Sequence, residues 1–136
     1  DSSTSRGLGD VYKRQRIAIA SQQTQKTKEF TLIADETILN ISPSKKINAW
    51  TYNDTIPGPT IRVTEGDKVV VHFINNLKLS HIIHFHGGHN GTVDGVFEIV
   101  PPNQTFTYEF IATPAGALMY HCHVMPVVEH VRMGLY

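Results

Sequence analysis

From Glu29 onward, turn signals divide the chain into short segments rich in β-branched and aromatic residues, with no convincing helical period. Turns about 8–12 residues apart are typical of antiparallel sandwiches and barrels. The strand candidates are residues 30–34, 37–41, 47–52, 69–74, 105–111 and 117–122. Dipeptides such as Asn53-Asp54 and Asn75-Asn76 break the chain between them. We therefore predict an all-β Greek-key sandwich or barrel of about eight strands.

Length and charge exclude several classes of protein. With 136 residues, the chain is expected to form one domain with a substantial core. Its 12 basic and 12 acidic side chains give a formal net charge of zero, which argues against nucleic acid or an anionic membrane as a partner. No run reaches the ~18 apolar residues of a membrane span, so we predict none.

The two ends are expected to differ from the domain between them. Residues 1–15 resemble translated sequencing-adapter sequence, and we interpret them as an artefact outside the fold. Residues 16–28 are interpreted as a flexible arm or as the remnant of a signal peptide, which would make the protein periplasmic or extracellular. Residues 29–136 form the domain. The segment 132–136 is strand-like and stops without a turn, so we expect a carboxy-terminal edge strand to be missing.

Six of the eight histidines lie in two stretches, 81–86 and 121–130, and the second stretch contains the only cysteine, Cys122. One thiolate with imidazoles from well-separated segments is the ligand set of copper in electron-transfer sites. Zinc is the alternative metal, but it usually takes four strong ligands in a closed tetrahedral site. A buried thiol beside unrelated histidines is the alternative without any metal. The clustering favours copper.

Strand alternation divides these residues between two faces, because side chains two apart in a strand share a face. If Phe85 and Cys122 face the core, His81 faces it with them. The inward set is then His81, Cys122 and His130, and the outward set is His84, His86, His121 and His123. The sequence therefore predicts two sites back to back, joined by the peptide bonds on either side of Cys122.

Several motifs together resemble the cupredoxin (plastocyanin-like) domains of multicopper oxidases and copper nitrite reductases. They are Ile56-Pro57-Gly58-Pro59-Thr60, Glu65-Gly66-Asp67, His84-Phe85-His86-Gly87, Pro114-Ala115-Gly116 and Tyr120-His121-Cys122-His123. The resemblance covers about residues 29–136, and single-domain purple cupredoxins are similar in size and layout. It implies a cupredoxin fold and copper-dependent oxidoreductase chemistry.

Carried over position by position, the resemblance assigns roles to the two sets of side chains. It implies His81, Cys122 and His130 as ligands of a type 1 copper. It implies His86 and His121 as ligands of a type 2-like copper, with His84 and His123 completing the paired His-x-His pattern of the oxidases. The second copper, mononuclear or part of a cluster, is expected at an interface between subunits or domains.

Two positions depart from the family's pattern. Leu135 stands where the axial methionine of the type 1 copper is expected, so the copper lacks a sulfur ligand there, or Met133 replaces it, or water enters. His84 stands where nitrite reductases have a proton-handling aspartate. Because imidazole can bind metal or transfer protons, His84 is our candidate catalytic proton donor.

These features predict a copper oxidoreductase domain in which electrons pass between the two copper sites through Cys122 and His121. The expected substrate is small and inorganic (nitrite, nitric oxide or dioxygen) or phenolic, and the expected partners are a redox protein and further copies in a homotrimer. The domain acting as the first part of a longer oxidase is the alternative to the trimer. A pure electron carrier with a single type 1 copper is the alternative function.

Overall fold

The computed structural model describes residues 24–88, 91 and 95–136, so the interpretations of residues 1–15 and of most of 16–28 lie outside the described residues. The strands are β1 (Thr27–Ser42), β2 (Lys45–Tyr52), β3 (Lys68–Asn75), β4 (Ile83–Phe85), β5 (Gln104–Ile111) and β6 (Tyr120–Cys122). One helix, α1 (Val127–Met133), follows them. The all-β prediction is confirmed, with six strands in the described part of the chain where about eight were predicted.

Strand β1 joins two of the predicted strands into one. Its first half, up to Ala34, pairs in parallel with β3, and its second half pairs antiparallel with β2. The strand candidates 30–34 and 37–41 imply a turn at Asp35-Glu36, but β1 runs through these residues without one. Instead, the Asp35 carboxylate accepts hydrogen bonds from the Glu36 N–H and from the Asn76 side chain, which supports β1 where it changes partner. The prediction of two separate strands was therefore wrong.

Two sheets of unequal size enclose the core. The larger has the strand order β2-β1-β3-β5, and the smaller pairs β4 with β6. Side chains from both sheets form one buried cluster, which includes Leu32, Tyr52, Phe73, Ile83, Phe85 and Cys122. The Tyr108 hydroxyl accepts a hydrogen bond from the Ile83 N–H and so links β5 to β4 across the core. This layered arrangement is a β-sandwich.

Helix α1 ends inside the segment 132–136 that the sequence suggested as strand-like, and residues 134–136 form no strand. Its valines are β-branched, which lowers helix propensity only slightly. Pro126 precedes the first turn, and Gly134 ends the helix with a φ of 121° that glycine adopts without strain. The prediction of no helix was therefore wrong at this point. Within the residues that the structure describes, no helix has the length and hydropathy of a membrane-crossing segment.

Candidate metal centres

Two groups of metal-ligating side chains come together in the described part of the chain. The interior group is His81, Cys122 and His130, and all three are buried. The surface group is His84, His86 and His121, of which His86 is exposed. Within each group, every ligand atom lies within 4.8 Å of the others. The two groups match the inward and outward sets that strand alternation predicts, with His123 outside the surface group.

The interior group forms a compact triangle of donor atoms. The Cys122 Sγ lies 3.5 Å from the His81 Nδ1 and 3.3 Å from the His130 Nδ1, and the two nitrogens are 3.1 Å apart. The point in the plane of the three atoms that is equidistant from them is about 1.9 Å from each, close to the roughly 2.0–2.3 Å of first-row metal bonds to imidazole and thiolate. The triangle therefore fits a metal ion with small outward shifts of its ligands.

Burial keeps the interior group uncharged without a metal. Burial, and then repulsion from His130, lower the pKa of His81 to about 4. Burial also lowers the pKa of His130, against a smaller opposing effect of Glu129. It raises the pKa of the Cys122 thiol, against smaller effects of backbone hydrogen bonds. At neutral pH both imidazoles offer lone pairs, and an incoming metal ion displaces one proton from the thiol.

A buried hydrogen-bond network fixes the backbone of His81. The His81 N–H donates to the Val100 carbonyl, and the Val100 N–H donates back to the His81 carbonyl. The Asn75 side chain, at the end of β3, donates to the carbonyls of Val100 and Leu79. The end of β3 therefore positions His81, a role of Asn75 that the sequence did not reveal, since this asparagine also fits an ordinary turn.

The backbone of Leu135 links the other two members of the interior group. Its carbonyl accepts the Cys122 N–H at 3.0 Å, and its N–H donates to the His130 carbonyl at 3.3 Å. Its side chain is fully buried in the core cluster that contains Cys122. A leucine side chain has no donor atom, so it supplies no axial ligand. The alternatives of Met133 or water in the axial position stay predictions.

The surface group follows from the pairing of β4 with β6. His84 lies directly opposite His121 in this pair, as Ile83 lies opposite Cys122. The Nε2 atoms of His86 and His121 are 3.1 Å apart. The His121 Nδ1 donates to the Cys122 carbonyl at 2.9 Å, which leaves its Nε2 to act as a ligand. The ring of His123 lies 5.1 Å from that of His84, at the edge of this group.

Two cavities flank the surface group. A groove of about 440 Å³ lies beside His121, and a smaller cavity of about 200 Å³ lies beside His86. Leu118 and Met119 line both, and their side chains are exposed. The face that carries the surface histidines is therefore concave and largely apolar.

Trp50 is a neighbour of the interior group that the sequence analysis missed. Its ring lies 5.3 Å from that of His81 and 5.4 Å from that of His130, with edge-to-face angles of 75° and 72°. Alternation along β2 places Trp50 on the same face as the buried Tyr52. That signal indicates a core-facing ring. It does not show which loop and helix the ring meets.

Comparisons with known proteins agree with the fold and the donor set. The sequence model of the family described as "Multicopper oxidase" matches residues 34–136. A copper-containing nitrite reductase of Neisseria meningitidis is 40% identical over 91 residues, which cover 64% of this chain and 23% of that protein. Laccase-15 of Oryza sativa subsp. japonica is 38% identical over 115 residues, 78% of this chain and 19% of that protein. The chain therefore spans about a fifth to a quarter of the length of these curated relatives.

The crystal structure of a blue copper oxidase from Nitrosomonas europaea is similar at a TM-score of 0.75 and 38% identity. The match covers 81% of this chain and 37% of the other.

Proposed function

The chain belongs to the multicopper oxidase family, and from this premise we propose that it is a copper oxidoreductase domain with two copper sites back to back. The observation that carries the proposal is the position of Cys122. Its thiol belongs to the interior group, while the adjacent His121 belongs to the surface group. One dipeptide therefore connects the two candidate sites.

The donor sets suit different tasks. His81, Cys122 and His130 would hold the interior copper, and His86 and His121 would hold the surface copper, with His84 beside them. Copper bound in these two places supplies reversible one-electron chemistry and an open position for a small inorganic substrate such as nitrite, nitric oxide or dioxygen. Burial excludes water from the interior group, whereas the exposed edge of His86 leaves the surface group accessible.

Two connections run between the groups through the same dipeptide. One is covalent, along the backbone from Cys122 to His121. The other is the hydrogen bond from the His121 Nδ1 to the Cys122 carbonyl. This bond also holds the imidazole with its Nε2 directed at the His86 Nε2. The orientation of the His121 imidazole therefore depends on Cys122, the residue that carries the interior thiol.

We assign proton donation to His84. Its ring lies 4.7 Å from that of His86 and 5.5 Å from that of His121, so it borders the place where substrate would bind. An imidazole there can bind metal or transfer a proton to a reduced oxygen atom. The surface group offers three nitrogens, and we propose that further copies of the chain, in a homotrimer, complete the site. We also propose that the substrate can be phenolic and that the protein is exported.

An electron carrier with one type 1 copper is the second candidate function. One observation favours it. The Nε2 atoms of His86 and His121 are within hydrogen-bonding distance of each other, so these imidazoles can be satisfied without a metal. In that case the surface histidines would serve the docking of a redox partner.

Copper content distinguishes the two functions. We would measure copper per chain, with paramagnetic resonance, in the wild type, in Cys122→Ser and in the His86→Ala/His121→Ala double variant. The oxidoreductase proposal expects about two coppers in the wild type and about one, with a thiolate signature, in the double variant.

His72→Ala is the matched control, because His72 lies on β3 outside both groups and contacts Thr107. It should leave the copper content unchanged. A wild type with one thiolate-bound copper, retained in full by the double variant, would establish the carrier and reject the oxidoreductase. If Cys122→Ser kept the copper content of the wild type, both functions would be rejected.

A further inference from the structure

The imidazole of His81 has an unusual environment for a metal ligand. Metal-ligating histidines almost always donate their second ring N–H to a carboxylate, a carbonyl or water, which fixes the ring's orientation. The His81 side chain is fully buried, and its Nε2 has no hydrogen-bond partner among the described residues. No hydrogen bond at Nε2 therefore holds this ring with its Nδ1 toward Cys122, so packing against neighbouring side chains must take that role.

The indole of Trp50 is placed to do this. It makes edge-to-face contacts with His81 and with His130, and the two imidazoles also contact each other at 4.8 Å. Edge-to-face packing is a favoured geometry for aromatic pairs and restricts ring rotation. Three rings thus pack against one another, and Trp50 is the member that carries no ligand atom.

The fold holds Trp50 firmly in this place. The residue lies in β2, whose alternation puts it beside the fully buried Tyr52. Its own carbonyl is so close to Gly134 that a Cβ at Gly134 would collide with it. Strand β2 and the end of α1 are therefore in direct contact, and the indole lies between the strand and the helix residue His130.

We infer that Trp50 is the positioning residue of the interior site, which orients both imidazoles by ring packing; for His81 this packing takes the place of the hydrogen bond found in other metal sites. The inference rests on the proposed function in one respect, that the interior group holds copper. It predicts that removal of the indole frees the His81 and His130 rings to rotate, so that the site binds copper more weakly and with altered geometry.

The test measures Cu(I) affinity by competition with a chromophoric chelator, together with the thiolate-to-Cu(II) absorption band. Trp50→Ala and Trp50→Leu should weaken Cu(I) binding by about tenfold or more, the usual effect of removing outer support from a ligand. Both should also shift the absorption band. Trp50→Phe keeps a ring in contact with the imidazoles and should restore most of the affinity and the wild-type band. The leucine variant retains bulk, so the experiment does not depend on the folding of the alanine variant.

Phe106→Ala is the matched control. Phe106 is a partly buried aromatic residue on β5 that packs against Tyr108, away from the interior group. Its loss should lower stability and leave the affinity and the band unchanged. Wild-type affinity and band in both Trp50→Ala and Trp50→Leu would overturn the inference, as would an equal loss in Phe106→Ala. A wild type whose Cu(I) affinity does not depend on Cys122 would instead reject the proposed function and the inference with it.

Discussion

The lowered pKa of His81 makes the stability of the metal-free protein depend on pH. Below about pH 6.5 the unfolded imidazole binds a proton, whereas the folded one, with a pKa of about 4, does not. The unfolded state therefore gains protons first, and the free energy of unfolding falls as the pH drops through this window. A pKa shift of this size changes the contribution of His81 to the free energy of unfolding by about 3 kcal/mol across this pH window. His130, whose pKa is also lowered by burial, acts in the same direction.

Urea unfolding with a chelator present, at several values between about pH 7 and pH 4, measures this effect. His81→Phe should flatten the pH dependence, since it removes the group that the unfolded state protonates. The exposed, non-titratable residue Ile38 on β1 provides the control, and Ile38→Ala should keep the wild-type slope. Parallel curves for His81→Phe and the wild type would contradict the prediction.

For single residues, the sequence predicted which face of a strand each side chain occupies much better than it predicted which distant side chains it contacts. Alternation places Cys122 inside and His84 and His121 outside, because these three residues lie in β4 and β6; the same parity also puts His81 inside, although His81 lies just before β4. It does not reveal the contact of Trp50 with two imidazoles. That contact joins β2 to α1 and to the segment before β4, and so depends on tertiary packing between distant segments.

At the scale of elements, the end of α1 is sensitive to substitution. Gly134 has a φ of 121°, and a Cβ there would meet the Trp50 carbonyl and the Ile56 side chain. The next residue, Leu135, bonds to both Cys122 and His130. Gly134→Ala should therefore lower the free energy of unfolding by about 2–4 kcal/mol, from backbone strain and collision together. It should also weaken copper binding, because the helix end that fixes His130 must move.

Gly66→Ala separates the two causes. Gly66 has a φ of 91°, and a Cβ there would meet nothing within 4 Å. The control should cost only about 1–2 kcal/mol of backbone strain and leave copper binding intact. Urea unfolding and Cu(I) competition measure both variants. Equal losses of stability in the two would show that collision with Trp50 and Ile56 contributes nothing.

The errors in the predicted elements have physical causes. Strands β3 and β5 lie where their β-branched and alternating residues predict them. Helix α1 was missed because valine-rich segments resemble strands, and Pro126 and Gly134, which bound the helix, also occur at turns. In β1 the acidic pair at 35–36 suggested a turn. There β1 continues and only changes its partner strand from β3 to β2. The local sequence does not distinguish such a change of partner from a turn.

At the scale of the whole molecule, the interior group lies within one chain, and we propose that the surface group is completed by further copies. The loop after β3, strand β6 and helix α1 each supply one residue of the interior group, and all three are buried. The surface group has three nitrogens on a concave face with two cavities. The formal net charge is zero, so no overall charge repulsion acts between copies of the chain. We therefore predict that copies of the chain assemble through this face as a homotrimer.

Sedimentation velocity tests this assembly, and one substitution places its interface. Leu118 is 49% exposed and lines both cavities, so Leu118→Asp puts a charge where copies would meet. Ile38, on β1, is 65% exposed and lines neither cavity, which makes Ile38→Asp the matched control. The wild type and Ile38→Asp should sediment at three times the mass of the chain. Leu118→Asp should sediment as a monomer that keeps only the thiolate-bound copper, because burying an unpaired carboxylate at an interface is strongly unfavourable. A monomeric wild type that holds two coppers would mean that one chain completes the surface site alone.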